Sequence, residues 1–185
     1  MEKKKLVTKM CFTAVMLALS TVLGFVKIWQ MPMGGSVTLL SMLPVICVSI
    51  AYGTGWGILS AFLYSCIQLS LGLGEMLSWG LTPAALIGSI MLDYILAFTV
   101  LGLAGLFREK GVKGIILGVV ISVSLRFLCH FISGVIIFGV FSQSADWLYS
   151  LTYNGTYMLP ELAFTVIGAV AVFGNRQIKK MFDLN

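Results

Sequence analysis

Charge is scarce in this chain: Asp, Glu, Lys and Arg together make up only 10% of its 185 residues. That scarcity excludes an ordinary soluble domain, in which about a quarter of residues are charged. There is also no polar stretch long enough for a separate soluble domain, so any ATP-hydrolysing engine is expected on another chain. The cysteines Cys11, Cys47, Cys66 and Cys129 lie in apolar runs without ligand spacing, which reads as small hydrophobes and not as disulfides or a metal site. No phosphate-binding loop, nucleophile elbow or HExxH helix is present. A hydrolase built on His130 and Asp93 would lack a nucleophile beside them. The chain therefore reads as a non-enzyme without a cofactor. The absence of an internal repeat argues against a secondary transporter of the inverted-repeat kind.

What is present is hydrophobic: 59% of residues are apolar and the mean hydropathy is +1.02. At roughly 20 residues per crossing, a chain of this length predicts an all-α bundle of about six transmembrane helices in one unit over residues 1–185. Hydropathy, broken by Gly, Pro and charge, puts the spans near 7–27, 38–52, 56–73, 83–107, 114–141 and 157–175. The start MEKKKLVTKM reads as the head of a retained first helix, since no cleavage site follows it. A Gly-rich YGTGWG string permits a tight turn between the second and third spans. Sorted on this scheme, Lys3, Lys4, Lys5, Lys9, Arg108, Lys110, Lys113, Arg176, Lys179 and Lys180 share one side, with Lys27 opposite. The positive-inside rule then puts both termini in the cytoplasm, and the net charge of +5 is a topology signal that requires no nucleic acid. The chain is expected in a plasma membrane of bacterial type.

Apart from the lysines already sorted to the ends, three charged groups and one histidine fall inside the spans: Asp93, Arg126, Glu161 and His130. A charge at membrane depth is costly, so each should face the bundle interior. Arg126 and His130 are spaced i, i+4 on one helical face that continues to Gly134 and Phe138. Arg126 is expected to pair with Asp93 or Glu161 to hold helices together, with Glu161 structural. Asp93 followed by Tyr94 suits an organic cation, because the carboxylate supplies counter-charge and the ring a cation–π face. Beyond the fifth span lies SADWLYSLTYNGTYMLPE, read as a loop, and beyond the first KIWQMPMGGS. Trp79 and Trp147 suit interfacial anchors. Asn154, whose amide both donates and accepts, can read the edge of a heterocycle.

The strings LDYILAFTVLGLAGLF (92–107), RFLCHFISGVIIFG (126–139) and WLYSLTYNGTYMLPE (147–161), after MGGS, resemble the thiamine-specific substrate-binding subunits of energy-coupling factor transporters. The resemblance spans nearly the whole chain. It implies a six-helix component that binds thiamine from outside and joins a transmembrane coupling subunit and two cytoplasmic ATPases. It places the family's acid–aromatic pair on Asp93 and Tyr94, its histidine on His130, and its Tyr-x4-Asn pair on Tyr149 and Asn154. Phe138 stands where some members have tryptophan, and Leu39 and Ser41 stand where some carry an acid. Trp29 is implied as a lid contact, with Trp147 near the mouth. On the first helix, Ala14 and Ala18 are spaced i, i+4, which suits close packing against another helix of this chain or of a partner; the resemblance implies docking to the coupling subunit. Competing readings are a thiamine precursor or another flat heterocycle as ligand, or a self-sufficient channel or facilitator, which would show a polar stripe along several helices.

Overall fold

The computed structural model describes residues 2–138, 147–182 and 184. Among the described residues, five helices are long and apolar enough to cross a membrane: α1 (Glu2–Phe25), α3 (Thr54–Ser78), α4 (Pro83–Gly105), α5 (Gly111–Ser133, extended by a π-helical turn Gly134–Phe138) and α6 (Trp147–Phe173). The predicted second span is different. Only Met42–Tyr52 is helical there, and this α2 of 11 residues is about 16 Å long at 1.5 Å per residue. An antiparallel hairpin, β1 (Lys27–Gln30) with β2 (Ser36–Thr38), precedes it in the chain. A short helix α7 (Arg176–Met181) follows α6.

Hydropathy could not distinguish α2 from a full span because it is apolar on every face. Met42 through Ala51 are all buried, so the element is enclosed by protein. Its ends are served by other elements: Ser20 Oγ of α1 accepts from Val45 N at 3.1 Å, and Arg108 Nη1 donates to the carbonyls of Ile50 and Ala51 at 3.1 and 2.7 Å. These bonds satisfy groups that an enclosed helix terminus would otherwise leave unpaired. Gly53 joins α2 to α3 at φ +87°, a conformation natural to glycine, as the YGTGWG string predicts.

The sixth predicted span begins ten residues early. Polar residues disguise nearly three turns of helix as a loop, although Thr152 and Asn154 bond back along α6, Thr152 Oγ1 to Leu148 O at 2.9 Å and Asn154 Nδ2 to Ser150 O at 2.9 Å. The predicted end of the fifth span, at 141, lies outside the described residues. In the core, α3 crosses α4 where Gly57 meets Gly102 backbone to backbone, and a Cβ on Gly102 would collide with the main chain of Ile58. The cysteines match their prediction only in part: Cys47 is buried, whereas Cys11 is exposed on α1.

Candidate functional site

A cavity of about 300 Å³ opens between the hairpin, the end of α1, the start of α2 and the adjoining parts of α3 to α6. Its size is at the lower end for small-molecule pockets. Helices α4 and α5 both depart from α-geometry where they border it. A π-helical stretch, Ile90–Leu96, carries Asp93 and Tyr94, and a second, Gly134–Phe138, carries Phe138. Such insertions widen a turn and reorient side chains, and they recur at functional sites.

Asp93 is held from three directions. Its Oδ1 lies 2.9 Å from His130 Nδ1, and its Oδ2 accepts from Ser89 Oγ at 2.7 Å and Ser133 Oγ at 2.5 Å. The carboxylate is thus fixed before any ligand arrives. The expected pairing of Arg126 with Asp93 or Glu161 does not form. The reason is competition: His130 and two serines already occupy Asp93, while Glu161 Oε1 accepts from the backbone N–H and hydroxyl of Thr38. Arg126 lies instead over the ring of Phe98, its Cζ 3.8 Å from the centroid. Thr38, whose hydroxyl is linked to Ser41 Oγ at 2.6 Å, therefore meets a carboxylate from α6 near the start of α2.

An aromatic row lines the same space. Tyr149, Tyr153 and Tyr157, spaced i, i+4, i+8 on α6, stand 5.9 and 6.0 Å apart by ring centroid, and His130 meets Tyr157 edge-on at 6.1 Å. Tyr153 donates its hydroxyl to Pro32 O of the hairpin. Asn154 is buried among them: Nδ2 donates to Ser150 O at 2.9 Å and to His130 O at 3.3 Å, and Oδ1 accepts from Tyr157 OH at 2.7 Å.

Of the residues singled out in sequence, Asp93, Tyr94, Arg126, His130, Phe138, Tyr149, Asn154 and Glu161 all line this cavity. Trp29 and Trp147 do not; they are 52% and 61% exposed. The tryptophan at the wall is Trp79, packed edge-on against Phe138 at 5.8 Å. Tyr153 and Tyr157 were missed with it, though their spacing would have announced them once the segment was read as helix. Ala14 and Ala18 are exposed on α1, away from the cavity. Among the described residues no group of three or more His, Cys, Asp or Glu could hold a metal ion.

Comparison with known proteins agrees across the chain. Residues 10–181 match the family model described as Thiamine transporter protein (Thia_YuaJ). The chain is 31% identical over 189 aligned positions to the thiamine transporter ThiT of Bacillus subtilis (strain 168), covering 94% of each. The thiamine transporter ThiT of Lacticaseibacillus paracasei is 31% identical over 91 residues, 42% of this chain and 45% of its own. A solved structure of ThiT from Listeria monocytogenes matches with a TM-score of 0.75 at 20% identity, covering 96% of this chain and 98% of that one, so the fold is shared.

Proposed function

The chain belongs to the thiamine transporter protein family and is a multi-pass plasma-membrane protein of bacterial type, and from that premise we propose that it captures thiamine from outside the cell. In this reading it is the binding subunit of an energy-coupling factor importer, completed by a transmembrane coupling subunit and two cytoplasmic ATPases. Both termini face the cytoplasm and the hairpin end faces outward.

The observation that carries the reading is a carboxylate fixed by three side chains inside a cavity walled by aromatic rings. Thiamine joins a permanently cationic thiazolium to a flat aminopyrimidine, and that wall complements both halves. Asp93 balances the cation without having to move, which limits the ordering cost of binding. Tyr94, His130 and Phe138 offer faces or edges to the thiazolium. Tyr149 stacks on the pyrimidine, and Asn154 reads it through the second lone pair of Oδ1. Trp29 and Trp147 belong to the rim.

Titration of the purified full-length chain with thiamine, in detergent and without ATP, tests this. Saturable binding at micromolar ligand or below is expected, with a change in tryptophan fluorescence. A folded protein that shows no saturation would overturn the proposal.

A further inference from the structure

The end of the bundle opposite the hairpin holds a second cavity, of about 470 Å³, that thiamine capture does not use. Its walls are residues 52–54, in the turn from α2 to α3, and residues 105–110, which lead into α5. Arg108 and Lys110 line it, against one carboxylate, that of Glu109. A Cβ on Gly53 would meet nothing within 4 Å, so the turn leaves this space clear.

The cations at this end are fixed by groups that carry no net charge. Arg108 Nη1 is held by the carbonyls of Ile50 and Ala51, and Lys110 Nζ lies 5.3 Å from the ring centroid of Phe107. From α1, Lys9 sets its Nζ 4.2 Å from the ring centroid of Trp56 and 5.2 Å from that of Tyr52. Trp56 is itself tethered, its Nε1 donating to Thr13 Oγ1 at 2.9 Å. Tyr52 belongs both to the cavity wall and to the bed under Lys9, so the two places adjoin. Lys9 and Arg108 are close enough for their charges to repel. Ring faces and carbonyl dipoles ease that repulsion without cancelling either charge. Like charges pinned together beside open space are complementary to an anion.

The surroundings select the kind of anion. The cavity is roomier than inorganic phosphate requires. Tyr and Trp are the rings that favour a membrane–water interface, and the flank of α1 around Lys9 exposes Val7, Met10 and Val15, against which acyl chains can lie. We propose that Lys9, Arg108 and Lys110 form a binding site for a phosphate ester whose source is an anionic lipid headgroup. Arg108 and Lys110 donate to the phosphate oxygens in the cavity, and Lys9 closes the site from α1. Placing the lipid in the inner leaflet rests on the orientation proposed above; the site itself does not.

Native mass spectrometry of the full chain in detergent, with phosphatidylglycerol or phosphatidylcholine added, tests the site. Phosphatidylglycerol should be retained on the order of tenfold more strongly. Lys9→Gln with Lys110→Gln should remove most of that preference, at about fivefold per charge, whereas Lys179→Gln with Lys180→Gln on α7 should preserve it. Equal retention of the two lipids overturns the site, as does a preference that the first pair leaves unchanged or that both pairs reduce alike. Displacement of phosphatidylglycerol by millimolar glycerol phosphate overturns the lipid as its source. A photoreactive phosphatidylglycerol, labelled in the headgroup, gives a reading on wild type that needs no variant to fold: crosslinks should fall on Lys9 or residues 105–110, and crosslinks confined elsewhere overturn the site. Thiamine titration of the same samples keeps the two proposals apart. Protein that retains the lipid but binds no thiamine overturns the proposed function alone, and the reverse result overturns this inference alone.

Discussion

On the proposed function, Asp93 is a carboxylate within an apolar helix that its neighbours hold ready for a cation. Two serines and a histidine supply donors to it, so its charge is stabilised locally and its direction is set. Asp93→Asn is expected to weaken thiamine binding on the order of tenfold to a hundredfold while the protein stays folded, as read by titration beside a thermal melt. Unfolding with normal affinity in the surviving fraction would make Asp93 a structural partner only. Trp79 adjoins Phe138 at the wall, so Trp79→Phe should abolish most of the ligand-induced fluorescence change, whereas Trp29→Phe and Trp147→Phe should preserve it. Asp93, Arg126, His130 and Glu161 were legible in sequence as cavity residues, because ionisable groups inside apolar runs are rare and have few places to go, whereas Glu75, which also lines the cavity, was not. Nor were the partners of those four. Arg126 stacks on Phe98 and Asp93 binds Ser89, contacts that depend on which helices are neighbours and how far the π-helical turns rotate them.

At the scale of elements, hydropathy located the five long helices to within a few residues at many ends and failed where its assumption fails. It treats a span as a helix surrounded by lipid, and α2 is surrounded by protein. It treats polar aromatic sequence as loop, and α6 uses those residues to line a cavity. The crossing of α3 and α4 is a direct test of packing in the bundle. Gly102→Ala would push a methyl group into the backbone of Ile58, and neither main chain can yield cheaply. A loss of about 1–3 kcal/mol in stability is expected, seen as a lower melting temperature with thiamine affinity per folded molecule unchanged. An unaltered melt would show that the two helices can separate locally.

Across the whole molecule, the cavity and the exposed small-residue face of α1 are different parts of one body. Ala14 and Ala18 lie open on α1 and do not line the cavity, which α1 reaches only through Thr21, Gly24 and Phe25 at its far end. On the proposed function, replacing both alanines with Trp should leave thiamine binding by the isolated chain nearly intact and abolish co-purification with the proposed coupling subunit. Assembly that survives the double substitution would place docking elsewhere. At the end opposite the hairpin, Phe12, Tyr52 and Phe182 meet edge-on at 5.4–5.8 Å and tie α1, α2 and the segment after α7 together. The enclosed α2 has a consequence for how the protein is made. A segment of 11 residues is too short to anchor itself across a bilayer of about 30 Å, and its capping groups, Ser20 and Arg108, come from before and long after it in the chain. During synthesis α2 must wait at the translocon or the membrane surface until α3 emerges, and the two then enter as a hairpin. A topology reporter fused after Tyr52 should therefore give a mixed orientation, and one fused after Ser78 a single orientation.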